Sequence, residues 1–336
     1  MDRYSRQRLF GPFGNDGQKR LEASRAVLVG CGALGSHLAQ HLARAGVGRL
    51  RIVDRDFVEL DNLQRQVLFD EEDVRGNLPK AAAAALKIAR INSTVAVEPR
   101  VVDATWSNVE ELIAEADVVL DGTDNFETRF LLNDACVKAG KPWVYGGCVA
   151  SHGMVLAVVP GTTACFACVV PDLPAPGSSP TCDTAGVLGP AVGVVASLQA
   201  AEALKILAGR FEALNAGLTT VDVWANAFQS FGVRRADDCP VCVKRVFKFL
   251  TAQEGGVATT LCGRNAVQVS SSGGVVDLAE LEKRLAAVAP VRRNPYLLRF
   301  EKDGHEITVF PDGRAIVKGT DDATRARALY AKYVGA

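Results

Sequence analysis

The chain has 336 residues, 48% hydrophobic and 23% charged. That balance suits about two soluble globular domains and excludes a disordered or fibrous polymer. Lys+Arg and Asp+Glu are 38 each, for a formal net charge of +0, so a general binder of nucleic acid or anionic membrane is not expected. The opening residues Met1-Asp2-Arg3-Tyr4-Ser5-Arg6 are polar and lack the apolar core of a signal peptide. Nine cysteines without an export signal point to metal or catalytic chemistry rather than disulfides, and to the cytoplasm.

Strands and helices alternate through the first half. Residues 25–30, 49–54, 95–101, 117–121 and 143–147 read as short apolar strands. Residues 34–45, 79–91 and 125–139 read as helices between them. This alternation gives a parallel sheet covered on both faces. Residues 154–159 read as a further strand, and residues 171–181, with four prolines, as loop. The longest apolar stretch, residues 185–201, is broken by Gly186, Gly189, Pro190 and Gly193. A buried helix over 187–207, with Pro190 marking a candidate start, fits it better than a membrane span. Late strands are expected at 218–224 and 229–233.

Gly255-Gly256 marks a linker. Beyond it come a strand at 266–270, a helix at 278–288, strands at 296–301, 306–310 and 315–318, and a helix at 322–333. Asp303-Gly304 is a hairpin signal. The expected fold is a Rossmann-like, doubly wound α/β sheet, largely parallel with antiparallel late strands, followed by a small C-terminal α+β domain. The boundaries fall at residues 1–254 and 256–336.

Gly30-Cys31-Gly32-Ala33-Leu34-Gly35 fits G-x-G-x-x-G between a strand and a helix, where backbone N–H groups can face a phosphate. Asp54 ends the second strand, placed to accept ribose hydroxyls. The motif does not separate NAD or FAD from ATP. Asn62, Arg65 and Gln66 cluster amide and guanidinium donors within one helical turn. From spacing alone they equally suit a solvated surface turn. Lys80, in the first turn of its helix, opposes the helix dipole unless a phosphate sits between; a lone lysine is otherwise surface. Asp124, at a helix start after a strand, suits Mg²⁺ or a simple N-cap. Together these donors suit a triphosphate better than a dinucleotide.

Cys165-x-x-Cys168 and Cys239-x-x-Cys242 are two knuckles that can close one Cys₄ zinc site, structural because no coordination position stays open. Cys182 sits at the end of the proline-rich loop, where a thiol is either reactive or a bland loop residue. Cys31, Cys136 and Cys148 read as buried packing residues.

These motifs, with Tyr4-Ser5-Arg6-Gln7, Asp54-x-Asp56-x-Val58, Pro79-Lys80, Thr123-Asp124-Asn125 and Thr184-Ala185-Gly186-Val187, resemble the ThiF/MoeB/HesA family, relatives of ubiquitin-activating enzymes. The resemblance covers residues 1–250. It implies a homodimeric adenylyltransferase. The substrate is a ubiquitin-like sulfur carrier protein, ThiS- or MoaD-like, ending in Gly-Gly. Its carboxylate attacks the α-phosphate of ATP, releasing pyrophosphate, ahead of sulfur transfer in thiamin, molybdopterin or tRNA-thiolation pathways. Gly32, Ala33, Gly35, Asp54, Asp61, Asn62, Arg65, Lys80, Asp124 and Asn125 are the implied nucleotide set. Arg65 and Lys80 neutralise phosphate charge, Arg6 does so from the partner subunit, and Asp124 holds Mg²⁺. Cys182 matches the crossover-loop cysteine (residues 160–186) that in some members bonds covalently to the carrier. A sulfurtransferase or cysteine desulfurase is the implied further partner.

The pattern departs from the family at Ala33, where many relatives have Gly, and at Asp61, where many have Ser. Two extra residues separate the Arg65 and Lys80 motifs, and no rhodanese domain follows. Residues 256–336 carry net +3, which suits an acidic partner such as the carrier or a solvated, dimer-stabilising appendage. The competing readings are a NAD- or FAD-dependent oxidoreductase, a nucleotide-binding scaffold without turnover, and a conjugation enzyme using a Cys182 thioester.

Overall fold

The computed structural model describes residues 2–175, 180–251, 258–261, 265–269 and 275–335. The Gly255-Gly256 linker and Cys262 lie outside the described residues, as does part of the proline-rich loop. The chain divides into two compact units, Met1–Ala252 and Gln253–Ala336.

Unit one opens with two helices that the apolar pattern does not announce, α1 (Ser5–Leu9) and α2 (Gly14–Ala23). The wound region follows in chain order: β1 (Arg25–Val29), α3 (Ala33–Ala45), β2 (Arg49–Val53), α4 (Glu71–Arg75), α5 (Lys80–Ile91), β3 (Ala96–Arg100), α6 (Val109–Ile113), β4 (Val118–Asp121), α7 (Phe126–Ala139) and β5 (Trp143–Val149). Then come β6 (His152–Val158), α8 (Phe166–Val169), α9 (Cys182–Ala185), α10 (Gly189–Leu207), β7 (Leu218–Asp222) and β8 (Ala227–Phe231). The sheet order is β3-β2-β1-β4-β5-β6-β7-β8. The first five strands are mutually parallel, and β6, β7 and β8 are antiparallel to their neighbours.

Strand periodicity explains why the sheet is double-faced. Ala26 and Leu28 of β1, with Val118 and Leu120 of β4, face one core with α3, α5 and α10. Val27, Val29 and Val119 face the other, with α7, α8 and Phe249. Alternate side chains of a strand point to opposite faces, so a strand buried on both reads as an unbroken apolar run. α10 starts with Pro190 in its first turn and packs against α3, β5 and β6. It is the one helix among the described residues long and apolar enough to cross a membrane, and most of it is buried in the fold. The last strand of this unit lies two residues earlier than its apolar pattern predicts, while β7 starts at Leu218 as expected. The chain turns at Asn226, whose φ of 53° is tolerated by an Asn side chain, so β8 begins at Ala227.

Unit two is a six-stranded antiparallel sheet, order β11-β12-β13-β14-β10-β9. Its elements are β9 (Ala258–Leu261), β10 (Ala266–Val269), α11 (Leu278–Leu285), β11 (Val291–Arg293), β12 (Leu298–Lys302), β13 (His305–Val309), β14 (Ala315–Lys318) and α12 (Ala323–Tyr333). Asp303 (φ 52°) and Gly304 (φ 75°) form the tight turn between β12 and β13, as the Asp-Gly pair predicts. β9 and β11 carry no strong apolar alternation and are not legible in the sequence.

Candidate nucleotide site and cysteine cluster

The loops after β1, β2 and β4, with the start of α5, meet at the carboxyl rim of the parallel strands, where open α/β sheets bind ligands. Three glycines let the first and last of these loops touch backbone to backbone. A Cβ on Gly30 would stand 2.6 Å from the carbonyl of Gly122, one on Gly122 would stand 2.3 Å from Gly30 O, and one on Gly35 would stand 2.0 Å from the same oxygen. Gly32 differs. A Cβ there would meet only Gln66 Nε2, at 3.9 Å. Its free side opens at the start of α3, which has no side-chain cap. The N–H groups of Ala33, Leu34 and Gly35, with the positive end of the helix dipole, are left for an anion.

Asp54 fixes this loop. Its Oδ2 accepts from Cys31 N–H at 2.6 Å and its Oδ1 from Asp56 N–H at 2.7 Å. Burial raises the Asp54 carboxyl above its ordinary range, although the Lys80 charge pulls the other way. Lys80 is only 3% exposed, not the surface lysine that its sequence context alone suggests. Its Nζ lies 3.4 Å from Asp56 Oδ2, and its backbone N–H donates to Asp56 O at 2.8 Å. A buried ammonium is tolerated because two carboxylates neighbour it.

The donors at Asn62, Arg65 and Gln66 do share one turn: both Arg65 N–H and Gln66 N–H donate to Asn62 O. Asn62 is buried; its Nδ2 donates to Asp61 Oδ1 at 2.9 Å and its Oδ1 accepts from Glu59 N–H. Arg65 is half-buried, with Nη1 donating to Asp61 O at 2.8 Å. Asp61 therefore braces both neighbours. Gln66 is buried, and its Oε1 has no hydrogen-bond partner.

Asp124 is exposed at the mouth of the rim. The N-cap of α7 is not Asp124 but Asn125, whose side chain accepts from Thr128 N–H at 2.8 Å. The Asp124 carboxylate is thus not spent on capping, and it lies within electrostatic reach of Arg55 and Arg129. Two residues that the sequence reading passes over set this loop. Asp121 Oδ1 accepts from both Thr123 N–H and its hydroxyl, at 2.8 and 2.6 Å. Arg129 donates to Asp121 Oδ2 at 3.3 Å and to Thr123 O at 2.9 Å, its guanidinium 5.3 Å from the ring centres of Phe126 and Tyr145. Burial raises the Asp121 carboxyl and Arg129 opposes the rise. An Asp and an Arg flanking a Gly-Thr turn are the only sequence signal of this brace.

Arg6 stands apart. Asn92 Nδ2 donates to Tyr4 Oη at 2.8 Å, Gln7 Nε2 donates to Ala45 O at 2.9 Å, and the Tyr4 ring lies against Gly46. These contacts hold α1 at the far end of α3. A helix of 13 residues is about 20 Å long, so Arg6 is exposed and not gathered with the other residues of its own chain.

On the second core face, Cys165, Cys168, Cys239 and Cys242 place their sulfurs within 4.8 Å of one another. The Cys165–Cys239 and Cys168–Cys242 separations are both 3.6 Å, and Cys165–Cys168 is 3.8 Å. Tetrahedral Zn–S bonds of about 2.3 Å put sulfurs about 3.8 Å apart, so the quartet fits a single zinc ion. Cys31 and Cys136 are buried packing residues, as expected. Cys148 also packs against the core but is only half-buried, near the end of β5, and Cys182 Sγ lies 3.5 Å from its carbonyl oxygen. Burial chiefly, and then the neighbouring Cys182, push the Cys148 thiol up to about 12.

A doubly wound sheet, an open helix N-terminus ringed by cationic and amide groups, and a thiol quartet spaced to hold a metal ion define a nucleotide-using enzyme. The sequence model of the ThiF family matches residues 4–241, and the chain belongs to that family. A "Sulfur carrier protein ThiS adenylyltransferase" of Bacillus subtilis is 47% identical over 339 residues, covering 99% of this chain and 99% of that protein, unit two included. A "SAMP-activating enzyme E1" of Haloferax volcanii is 44% identical, covering 72% of this chain and 88% of its own. Among solved structures, Escherichia coli MccB with ATP has a TM-score of 0.62 at 25% identity, covering 72% of this chain and 74% of that one.

Proposed function

We propose that this chain adenylates the C-terminal Gly-Gly carboxylate of a ubiquitin-like sulfur carrier protein, using ATP and Mg²⁺ and releasing pyrophosphate. The observation that carries the reading is the anion cradle at Gly32, uncapped and open, beside the buried Lys80 ammonium and the Asn62–Arg65 turn. The attacking carboxylate is already ionised, so the step needs position and charge balance rather than a general base.

In this reading Ala33, Gly35 and the Gly32 backbone bind phosphate, and Asp54 holds the ribose. Asn62, Arg65 and Lys80 balance the charge that builds on the phosphates as the α–β bond breaks. Asp61 positions Asn62 and Arg65, and Asn125 sets the loop that carries Asp124. Asp124 would hold Mg²⁺, which when bound neutralises neighbouring phosphate oxygens. The four cysteines would hold a structural Zn²⁺ that pins α8 to the segment before Phe249.

The separation of Arg6 from its own cradle supports a homodimer in which Arg6 serves the partner's site. Cys182 would act after adenylation in the cytoplasm: a persulfide on a sulfurtransferase or cysteine desulfurase displaces AMP from the acyl-adenylate, and the Cys182 thiolate then attacks the acyl-bound sulfur, forming an acyl disulfide and releasing the donor's thiolate. An NAD- or FAD-dependent oxidoreductase leaves Lys80, Arg65 and the cysteine quartet without purpose.

The test is carrier-dependent ATP–pyrophosphate exchange. Arg65→Ala should lower the exchange rate about 10²–10³-fold, or ~2.7–4 kcal/mol, by analogy with a lost oxyanion donor, while the zinc content stays that of the parent. Near-parental exchange in Arg65→Ala refutes the phosphate role. Incubation with ATP, Mg²⁺ and Gly-Gly-ended carriers, read by intact mass, identifies the acceptor.

A further inference from the structure

We propose that Gln66 is a further nucleotide-contacting residue: its amide closes the cradle from the side facing Gly32. The inference rests on the adenylation reading and deepens it.

Gln66 is 3% exposed. Its backbone is fixed at both ends, the N–H donating to Asn62 O at 2.9 Å and the carbonyl accepting from Phe69 N–H at 3.2 Å. With the backbone fixed and so little of the residue exposed, the side chain lies within the fold rather than in solvent. Its Oε1 is buried without a donor. Among the described residues other than its chain neighbours, its Nε2 is the one atom within 4 Å of where a Cβ on Gly32 would stand. Buried amides ordinarily satisfy both ends, so an amide with a buried orphan acceptor and its Nε2 over an open helix N-terminus is poised for groups that arrive with the ligand.

A nucleotide supplies both missing partners. A phosphate oxygen lodged over Gly32 accepts from Nε2, and a ribose hydroxyl, on the side where Asp54 ties down Cys31, donates to Oε1. The contact adds a donor to the phosphate without adding charge. Lys80 and Arg65 are left to respond to the charge that changes in the reaction. An apolar side chain of the same length would fill the space and leave the phosphate one donor short.

The experiment is calorimetric titration of ATP into the full chain and two variants. Gln66→Met keeps the volume and deletes the polar atoms. Gln66→Glu keeps the shape and turns an anion toward the phosphates. The expected result is an ATP dissociation constant about tenfold weaker in Gln66→Met, ~1.4 kcal/mol, and at least about a hundredfold weaker in Gln66→Glu by like-charge repulsion. Ligand-free Gln66→Met should melt no lower than the parent, since an unsatisfied acceptor is removed. ATP affinity within twofold of the parent in Gln66→Met overturns the assignment, and parental affinity in Gln66→Glu does so even if the Met variant fails to fold. A parental chain that binds no ATP sinks the adenylation reading itself. A parent that binds, with Lys80→Ala weakened and Gln66→Met unchanged, sinks only this inference.

Discussion

Two glycine-to-alanine changes in the same rim should have opposite consequences. At Gly122 the new methyl carbon would stand 2.3 Å from Gly30 O and 3.0 Å from Gly35 Cα. Both are backbone atoms, so no side chain can rotate away, and the two loops must part by roughly an ångström. Overpacking of that kind costs about 1–3 kcal/mol. In a unit of this size that lowers the melting temperature by roughly 2–12 °C, at 2–4 °C for each kcal/mol. At Gly32 the methyl meets nothing nearer than Gln66 Nε2 at 3.9 Å. The empty protein should be destabilised by less than about 1 kcal/mol, a surface-like change. The methyl instead occupies the volume over the open N-terminus of α3. Differential scanning fluorimetry with and without ATP separates the two effects. At a hundred times its dissociation constant a ligand adds about 2.7 kcal/mol, a rise of roughly 5–11 °C on the same scale. Gly32→Ala should keep the ligand-free melting point and lose the rise; Gly122→Ala should start lower. A full ligand-induced rise in Gly32→Ala would show that no phosphate lies over Gly32, and the cradle argument would fail.

Two further outcomes follow from the buried polar groups. Removing Cys239 as Cys239→Ser should drop bound zinc from about one ion per chain to none and destabilise unit one by about 4 kcal/mol or more, read by metal analysis and thermal melting; a metal-free parent with the same melting point would refute a structural ion. Burial pushes the Asp134 carboxyl up from 3.8 to about 6, with only the Phe249 N–H (3.0 Å) donating to it among the described residues. The folded value lies above the unfolded one, so the folded state holds the proton more tightly. Stability is greatest below about pH 4 for this group and declines as pH rises through 6, by up to about 3 kcal/mol. Asp134→Asn should flatten that decline in urea titrations at pH 4.5 and 7.5; an unchanged pH slope would mean that Asp134 is solvated.

The wound half of the fold is legible because its strands are unbroken apolar runs and its glycine loop is a contiguous motif. What hid was whatever depends on distant partners. Nothing around Lys80 foretells its burial, because the carboxylates that neighbour it, Asp54 and Asp56, lie on another segment. The spacing of Thr123-Asp124-Asn125 leaves open which acid or amide caps α7; only backbone geometry assigns the cap to Asn125. Asp121 and Arg129 carry no motif and emerge as a pair only when one helical turn returns the guanidinium over the strand end. α1 and α2 were missed because α1 buries no residue and α2 is polar on average, so neither shows an apolar stripe. Gln66 was visible as a donor in a turn, but its missing partner was not.

The register of β5 has a spatial consequence. Leu120 pairs with Val144, so the end of β4 at Asp121 is level with Tyr145, yet β5 continues to Val149. Those four extra residues raise a ribbon about 13 Å above the floor of the rim. Ala150 at its tip turns the chain back and takes Val187 as a bridge partner, while Cys182 rests on Cys148 below. The thiol is thereby held against the β5 extension, one strand over from the end of β4. If the proposed adenylation takes place at the rim, the β5 extension is the element that lies between it and Cys182.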